Sequence, residues 1–115
     1  MSAPIRHGDV HVADLNPRRG TEPGKLRLVV VLQTNLLNEA EHPSTFVVPC
    51  TTRVAGESLL RVALPKGIAG NAADCEVMID QGRAIDNRRL TKRLGALPRP
   101  LLREIKEKLR LLLDM

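Results

Sequence analysis

The run Leu28-Val29-Val30-Val31-Leu32 constrains this chain more than any other stretch. It is wholly apolar and β-branched at its centre, with Arg27 at its mouth, and it reads as a strand over Arg27–Gln33 buried on both faces. A guanidinium at the end of a buried strand is held in place and can present its planar fork of donors to a phosphate. Upstream lies a charged loop rich in turn formers, Asn16-Pro17-Arg18-Arg19-Gly20-Thr21-Glu22-Pro23-Gly24, and downstream a second apolar strand runs into Pro49-Cys50-Thr51-Thr52-Arg53. Two basic strand ends, a hydroxyl pair and a charged loop together suggest a site for a phosphodiester.

A chain of 115 residues that is 43% hydrophobic supports one domain, 1–115, with a single modest core. Phe46 is its one aromatic residue, which argues against base stacking as the basis of single-stranded nucleic-acid binding. Contacts to RNA must then rest on Arg, Lys, hydroxyls and backbone groups. The formal charge is +5, and the excess is uneven: Arg83 to Arg110 holds ten Lys/Arg against Asp86, Glu104 and Glu107. Such a segment suits a polyanionic or acidic partner, although charge alone equally fits a solvated surface. Cys50 and Cys75 lack metal-ligand spacing and read as free thiols of a reducing compartment. No apolar stretch approaches the roughly 20 residues of a membrane span, and residues 1–7 lack a signal-peptide apolar region, so the expected location is the cytoplasm with no membrane partner.

Further strands are expected at Gly8–Leu15, Phe46–Thr51, Leu59–Leu64 and Glu76–Asp80, the last extending past Gly82 to Ile85 through a bulge. Residues 16–26, 35–44 and 65–74 read as connections. Asp86 is placed to cap a helical turn over 86–90. After Pro98 and Pro100, Leu102, Ile105, Leu109 and Leu112 recur at helical spacing, with Arg103–Glu107 and Glu104–Lys108 as i,i+4 pairs. Short strands closed by one helix make a small barrel-like α+β domain, mainly β.

Taken in order, these segments resemble the MazF/PemK/Kid family of endoribonuclease toxins. The resemblance rests on Gly8-Asp9-Val10-His11-Val12-Ala13-Asp14-Leu15, on Pro17-Arg18-Arg19-Gly20-Thr21-Glu22-Pro23-Gly24, and on Arg27-Leu28-Val29-Val30-Val31. It continues through Val48-Pro49-Cys50-Thr51-Thr52, Asp80-Gln81-Gly82-Arg83-Ala84-Ile85-Asp86 and Leu94-Gly95-Ala96-Leu97. It covers residues 8–113 and implies an SH3-like β-barrel with a C-terminal α-helix. It further implies a homodimer, metal-independent cleavage of single-stranded RNA with no cofactor, and a cognate antitoxin with an acidic tail.

In such cleavage the substrate's own 2′-OH attacks the adjacent phosphorus, leaving a 2′,3′-cyclic phosphate and a 5′-OH. The protein must remove a proton, neutralise the phosphorane and protonate the leaving oxygen. By resemblance Arg27 stabilises the phosphorane, Thr51 hydrogen-bonds a non-bridging oxygen or the 2′-OH, and Glu22 acts as base or positions Arg27. Asp80 takes the place of a carboxylate implicated in some family members. Arg18, Arg19, Thr21, Lys25, Thr52, Arg53, Gln81 and Arg83 are the candidate RNA contacts. Each has a plainer reading as well: a surface ion pair for Arg27 or Asp80, β-propensity for the Thr pair, solubility for Glu22. His7 and His11 share residue parity but find no partner at a catalytic or metal spacing. The family's usual proline after the arginine is Leu28 here, which removes a restraint toward extended geometry at Arg27. Two rivals stay open, a non-catalytic SH3-like nucleic-acid-binding module and a protein-binding toxin of the gyrase-poison kind.

Overall fold

The computed structural model describes residues 4–17, 20–21, 25–56 and 58–115. Seven strands form one antiparallel sheet: β1 (Asp9–Asp14), β2 (Leu26–Val31), β3 (Ser44–Thr51), β4 (Arg61–Leu64), β5 (Cys75–Met78), β6 (Arg83–Asp86) and β7 (Leu90–Ala96). Among the described residues two α-helices complete the fold, α1 (Asn35–Glu39) and α2 (Arg99–Leu113). The strand order is β4-β5-β3-β2-β1-β7, with β6 also beside β3.

The expected two-sided burial of the apolar run holds. Val29, Val30 and Val31 are each fully buried, and they alternate between two clusters. Val30 joins Val10, Val48, Val62, Leu64, Val77 and Ile79 under α2, whose Ile105 reaches this core. Val29 and Val31 pack on the other side with Ala13, Leu15, Val47 and Ile85. The expected amphipathic face of α2 is used through Leu101, Leu102, Ile105 and Leu109, whereas Leu112 stays exposed. Lys108 and Glu104 make the expected i,i+4 pair at 3.4 Å. The Asp86 carboxylate accepts the Arg88 N–H at 2.8 Å, capping a 3-10 turn over Asn87–Arg89.

Three elements differ from the sequence reading. The strand expected to bulge at Gly82 is two strands, β5 and β6, joined by a 3-10 turn over Ile79–Gln81. Phe46 is the reason that Gly82 has no side chain, since a Cβ there would stand 2.8 Å from its ring. Part of the connection at 35–44 is the short helix α1, capped by the Thr34 hydroxyl. The stretch after the second 3-10 turn, Asn87–Arg89, is β7, an edge strand that pairs with β1 through two register shifts. The sheet is barrel-like but open between its edge strands β4 and β7. The loop 65–74 covers that seam: a Cβ on Gly95 would lie 2.8 Å from the Ala69 carbonyl oxygen, and one on Gly70 2.7 Å from the Leu94 carbonyl oxygen. Backbone therefore rests directly on backbone, and glycine is required at both contacts.

His11 on β1 is buried, and its Nε2 has no hydrogen-bond partner among the described residues. Burial lowers its pKa below 6.5, with Asp9 opposing the shift and Arg93 reinforcing it. The unfolded chain thus binds a proton that the folded chain resists, so stability present above pH 6.5 is lost as pH falls below it. Denaturant unfolding should show that decline, and His11→Phe should flatten it; an unchanged slope in the variant would assign the decline to other groups.

Candidate active site

The site is made where β2 and β3 part. Their ladder pairs Val31 with Val47, Val30 with Val48 and Val29 with Pro49, and stops there. On the far side of β3, partner β6 covers Ser44–Val47 and partner β5 covers Cys50–Thr51. Pro49 falls in the gap between those partners, where its missing N–H breaks no ladder. Continued by two residues, the register would set Arg27 opposite Thr51. The strands instead separate and leave a cleft of about 280 Å³. Arg27, Lys25, Thr51, Thr52 and the apolar Val12, Leu28 and Cys50 line it, with Ala72, Ala73 and Cys75 from the region of the seam loop.

Arg27 is half-buried, and its Nη1 donates to the Cys50 carbonyl at 3.3 Å, so the guanidinium spans the gap toward β3. The half-buried Thr51 hydroxyl accepts the Arg53 N–H at 3.1 Å and keeps its own proton for a further acceptor. Lys25 has φ of 57°, and its N–H donates to the Asn16 side-chain oxygen at 2.7 Å. Arg89 Nη1 donates to the Asn16 carbonyl at 2.8 Å, which pins the base of the loop preceding β2. The Cys50 thiol is held protonated by its hydrogen bond with Cys75 and by burial, and both cysteines are free thiols, as the sequence indicated.

Of the candidate residues, Arg27, Lys25, Thr51 and Thr52 are brought together in the cleft. Arg53 follows them on the exposed side, and Thr21 is exposed in the preceding turn. Asp80 and Gln81 lie on the 3-10 turn, and Arg83 pairs with Val47 on β6. Val47 precedes Thr51 by four residues, about 13 Å along β3, so Arg83 stands well away from the cleft, and Asp80 and Gln81 on their turn do not line it either. Arg18, Arg19 and Glu22 lie outside the described residues. Among the described residues no carboxylate lines the cleft.

Two supporting residues escaped the sequence reading. Glu76 pairs with Thr51 across β3 and β5 and is buried. Its carboxylate accepts the N–H groups of Ala55 at 3.0 Å and Gly56 at 3.1 Å, and Arg61 at 3.2 Å. The Ala55 N–H, then Gly56 and Arg61, hold its pKa below the ordinary value, so it is an ionised clamp on the 53–56 segment. Asn71 is buried in the seam loop. Its Nδ2 lies 3.2 Å from the Leu64 carbonyl, 3.0 Å from Pro65 and 2.9 Å from Ala73, while its Oδ1 accepts the Ala69 N–H at 3.1 Å. It shapes the turn that presents Ala72 and Ala73 to the cleft. A lone carboxylate within the apolar β5 run and the Asn among loop glycines were the available signals; neither reveals a partner distant in sequence.

Residues 6–113 match the family of PemK-like, MazF-like toxins of type II toxin-antitoxin systems. The chain belongs to this family. The toxin is 30% identical over 112 residues to endoribonuclease EndoA of Bacillus subtilis, a match covering 96% of each chain. The crystal structure of MazF from Deinococcus radiodurans is similar at a TM-score of 0.86 and 26% identity, covering 99% of this chain and 100% of that one. A MazE-MazF structure from the same organism matches at 0.79 and 27% identity, covering 99% of each chain. The barrel-like sheet with a C-terminal helix implied by the sequence is thus the fold of the family.

Leu28, where the family usually has proline, packs against the core and lines the cleft. The Leu15 N–H donates to the Lys25 carbonyl and the Leu32 N–H to the Phe46 carbonyl, so odd residues of β2 face β1 and even ones face β3. The N–H of Leu28 therefore points to the side where the β3 ladder has already ended. Leu28→Pro costs no β3 pairing and restrains Arg27 to extended geometry. A restraint worth about 0.4–1 kcal/mol predicts a rise of roughly 2- to 5-fold in the single-turnover rate. Equal rates at matched stability would show the departure to be neutral.

Proposed function

We propose that the cleft cleaves single-stranded RNA at a short recognition sequence, without a metal, through attack of the substrate's 2′-OH on the adjacent phosphorus. The chain is a toxin of a type II toxin-antitoxin system and an endoribonuclease. The observation that carries the finer reading is the parting of β2 and β3 beside Arg27 and Thr51. A phosphate seated in the gap meets the Arg27 fork on one wall and the Thr51 hydroxyl on the other, with Lys25 and Thr52 at the rim. Arg27 neutralises the phosphorane and donates toward the leaving oxygen. Glu22, in the loop that ends at Lys25, serves as base or orients Arg27. Arg18, Arg19, Thr21 and Arg53 hold the flanking nucleotides near the cleft, while Gln81 and Arg83 meet the strand farther along β3. Asp80 belongs with that outer group as a carboxylate near the RNA path.

The active form is a cytoplasmic homodimer of this single domain. Lys108 Nζ donates to the carbonyls of Ser58 at 3.1 Å and Arg61 at 2.8 Å, which brings the last turns of α2 beside residues 58–61. Leu59, Leu60, Leu111 and Leu112 are exposed in that region, an apolar surface that pairing of two chains would cover. The solved MazE-MazF complex supports a cognate antitoxin as partner, and its acidic segment meets the basic rim of this cleft.

Incubation with a long RNA in EDTA, followed by end mapping, tests the reaction. Discrete cuts ending in a 2′,3′-cyclic phosphate and a 5′-OH are expected. Intact RNA, or cleavage abolished by EDTA, would overturn the mechanism.

A further inference from the structure

We propose that the outer face of α2 is a second RNA-binding surface, an exosite that grips the backbone of the substrate outside the sequence held in the cleft. It rests on the ribonuclease reading above. Arg99, Arg103, Lys106 and Arg110 fall at i, i+4, i+7 and i+11, so they form one straight stripe along the helix, all exposed. The stripe runs about 16 Å at the rise of an α-helix. With His7, Leu102 and Glu107 it lines a shallow groove of about 520 Å³. Arg99, Arg103 and Arg110 make no ion pair among the described residues, while Glu104 on the same helix is turned to Lys108. Lys106 Nζ lies 3.5 Å from His7 Nε2, and His7 Nδ1 lies 3.1 Å from the Leu32 carbonyl. The tautomer with the proton on Nδ1 satisfies both contacts, which leaves His7 as an acceptor that steadies Lys106.

Four cations at one per helical turn match a chain of phosphates, and three of them are guanidiniums that can pair with phosphate through two hydrogen bonds. An acidic peptide that orders on binding needs apolar surface to offset its ordering, and Leu102 is the one apolar side chain lining this groove. RNA is therefore the better fit. The groove adjoins His7, in the turn before β1, whereas the cleft is lined by Val12, about 10 Å along β1 from its first residue Asp9. A substrate confined to the cleft does not reach the stripe; a longer one does.

The test replaces all four cations, R99A/R103A/K106A/R110A, in the full-length protein. Alanine is the strongest helix former, so α2 is preserved, and circular dichroism verifies it. Cleavage is compared on a short oligonucleotide bearing the mapped recognition sequence and on the same sequence centred in a long RNA. The expected result is a fall of about tenfold or more in kcat/KM on the long RNA, with the short substrate unchanged within about twofold. Binding of the long RNA by an Arg27→Ala background should lose salt dependence, its log–log slope shrinking by about 0.7 for each phosphate contact removed. That binding measurement reads the stripe even if the parent protein cleaves nothing, which separates failure of the exosite from failure of the ribonuclease reading. Equal losses on both substrates, or an unchanged long-RNA rate and salt slope, would overturn the proposal. So would a loss confined to antitoxin binding, which would make the stripe a protein-docking face.

Discussion

Arg27→Ala is expected to slow RNA cleavage by roughly 10²–10³, the loss typical of removing one donor aimed at developing charge, or about 3–4 kcal/mol of barrier. Thr51→Ala should fall in the same range, because the two side chains face each other across the gap where β2 and β3 separate. The fold should survive both changes. Each residue is half-buried, and the hydrogen bond from Arg27 to the Cys50 carbonyl is one contact of about 1 kcal/mol. Single-turnover rates on a mapped substrate, together with thermal unfolding of each variant, separate the chemistry from stability. Near-parental rates in both variants would place the chemistry elsewhere.

Asn71→Ala should cost the most stability per atom removed. The side chain is buried and bonds four backbone groups of the loop that covers the seam between β4 and β7. Deleting it leaves the Ala69 N–H and several carbonyls without their partner, at about 1–3 kcal/mol for each group that water cannot reach. A total of about 2–4 kcal/mol corresponds to a fall in Tm of about 10 °C or more for a domain of this size. Asn71→Asp should be worse, since it sets a carboxylate against carbonyl oxygens with no proton to donate. Because Ala72 and Ala73 line the cleft, cleavage should weaken along with stability. A Tm within a degree or two of the parent would show that the loop is held by its backbone contacts at Gly70 and Gly95 alone.

Periodicity sufficed for β2 and α2 because their signals are one-dimensional. An apolar run buried on both faces, and a helix with one apolar stripe, declare themselves in consecutive residues. The turn capped by Asp86 was legible for the same reason, since donor and acceptor are two residues apart. β7 was not legible: it is an edge strand without a buried residue, its polar Thr91-Lys92-Arg93 run interrupts any apolar alternation, and its register is broken by bulges. The division of β5 from β6 was hidden too, because it shows only in which part of β3 each one pairs with, Cys50–Thr51 for β5 and Ser44–Val47 for β6.

The ordered motifs by themselves determined the family, the barrel-like α+β class and the pairing of Arg27 with Thr51 as a candidate site, because each is written in local spacing and residue chemistry. Tertiary structure alone decided where the β2–β3 ladder stops, and so that those two residues flank an open gap. It also set Arg83 opposite Val47, about 13 Å along β3 from Thr51, and left Asp80 and Gln81 on a 3-10 turn outside the cleft lining. Only the fold, finally, made supports of Glu76 and Asn71 and gathered His7 beside the cations of α2. The physical reason is common to all of these: strand register and loop docking join residues tens of positions apart, and no local pattern encodes which distant partner a buried polar group will find.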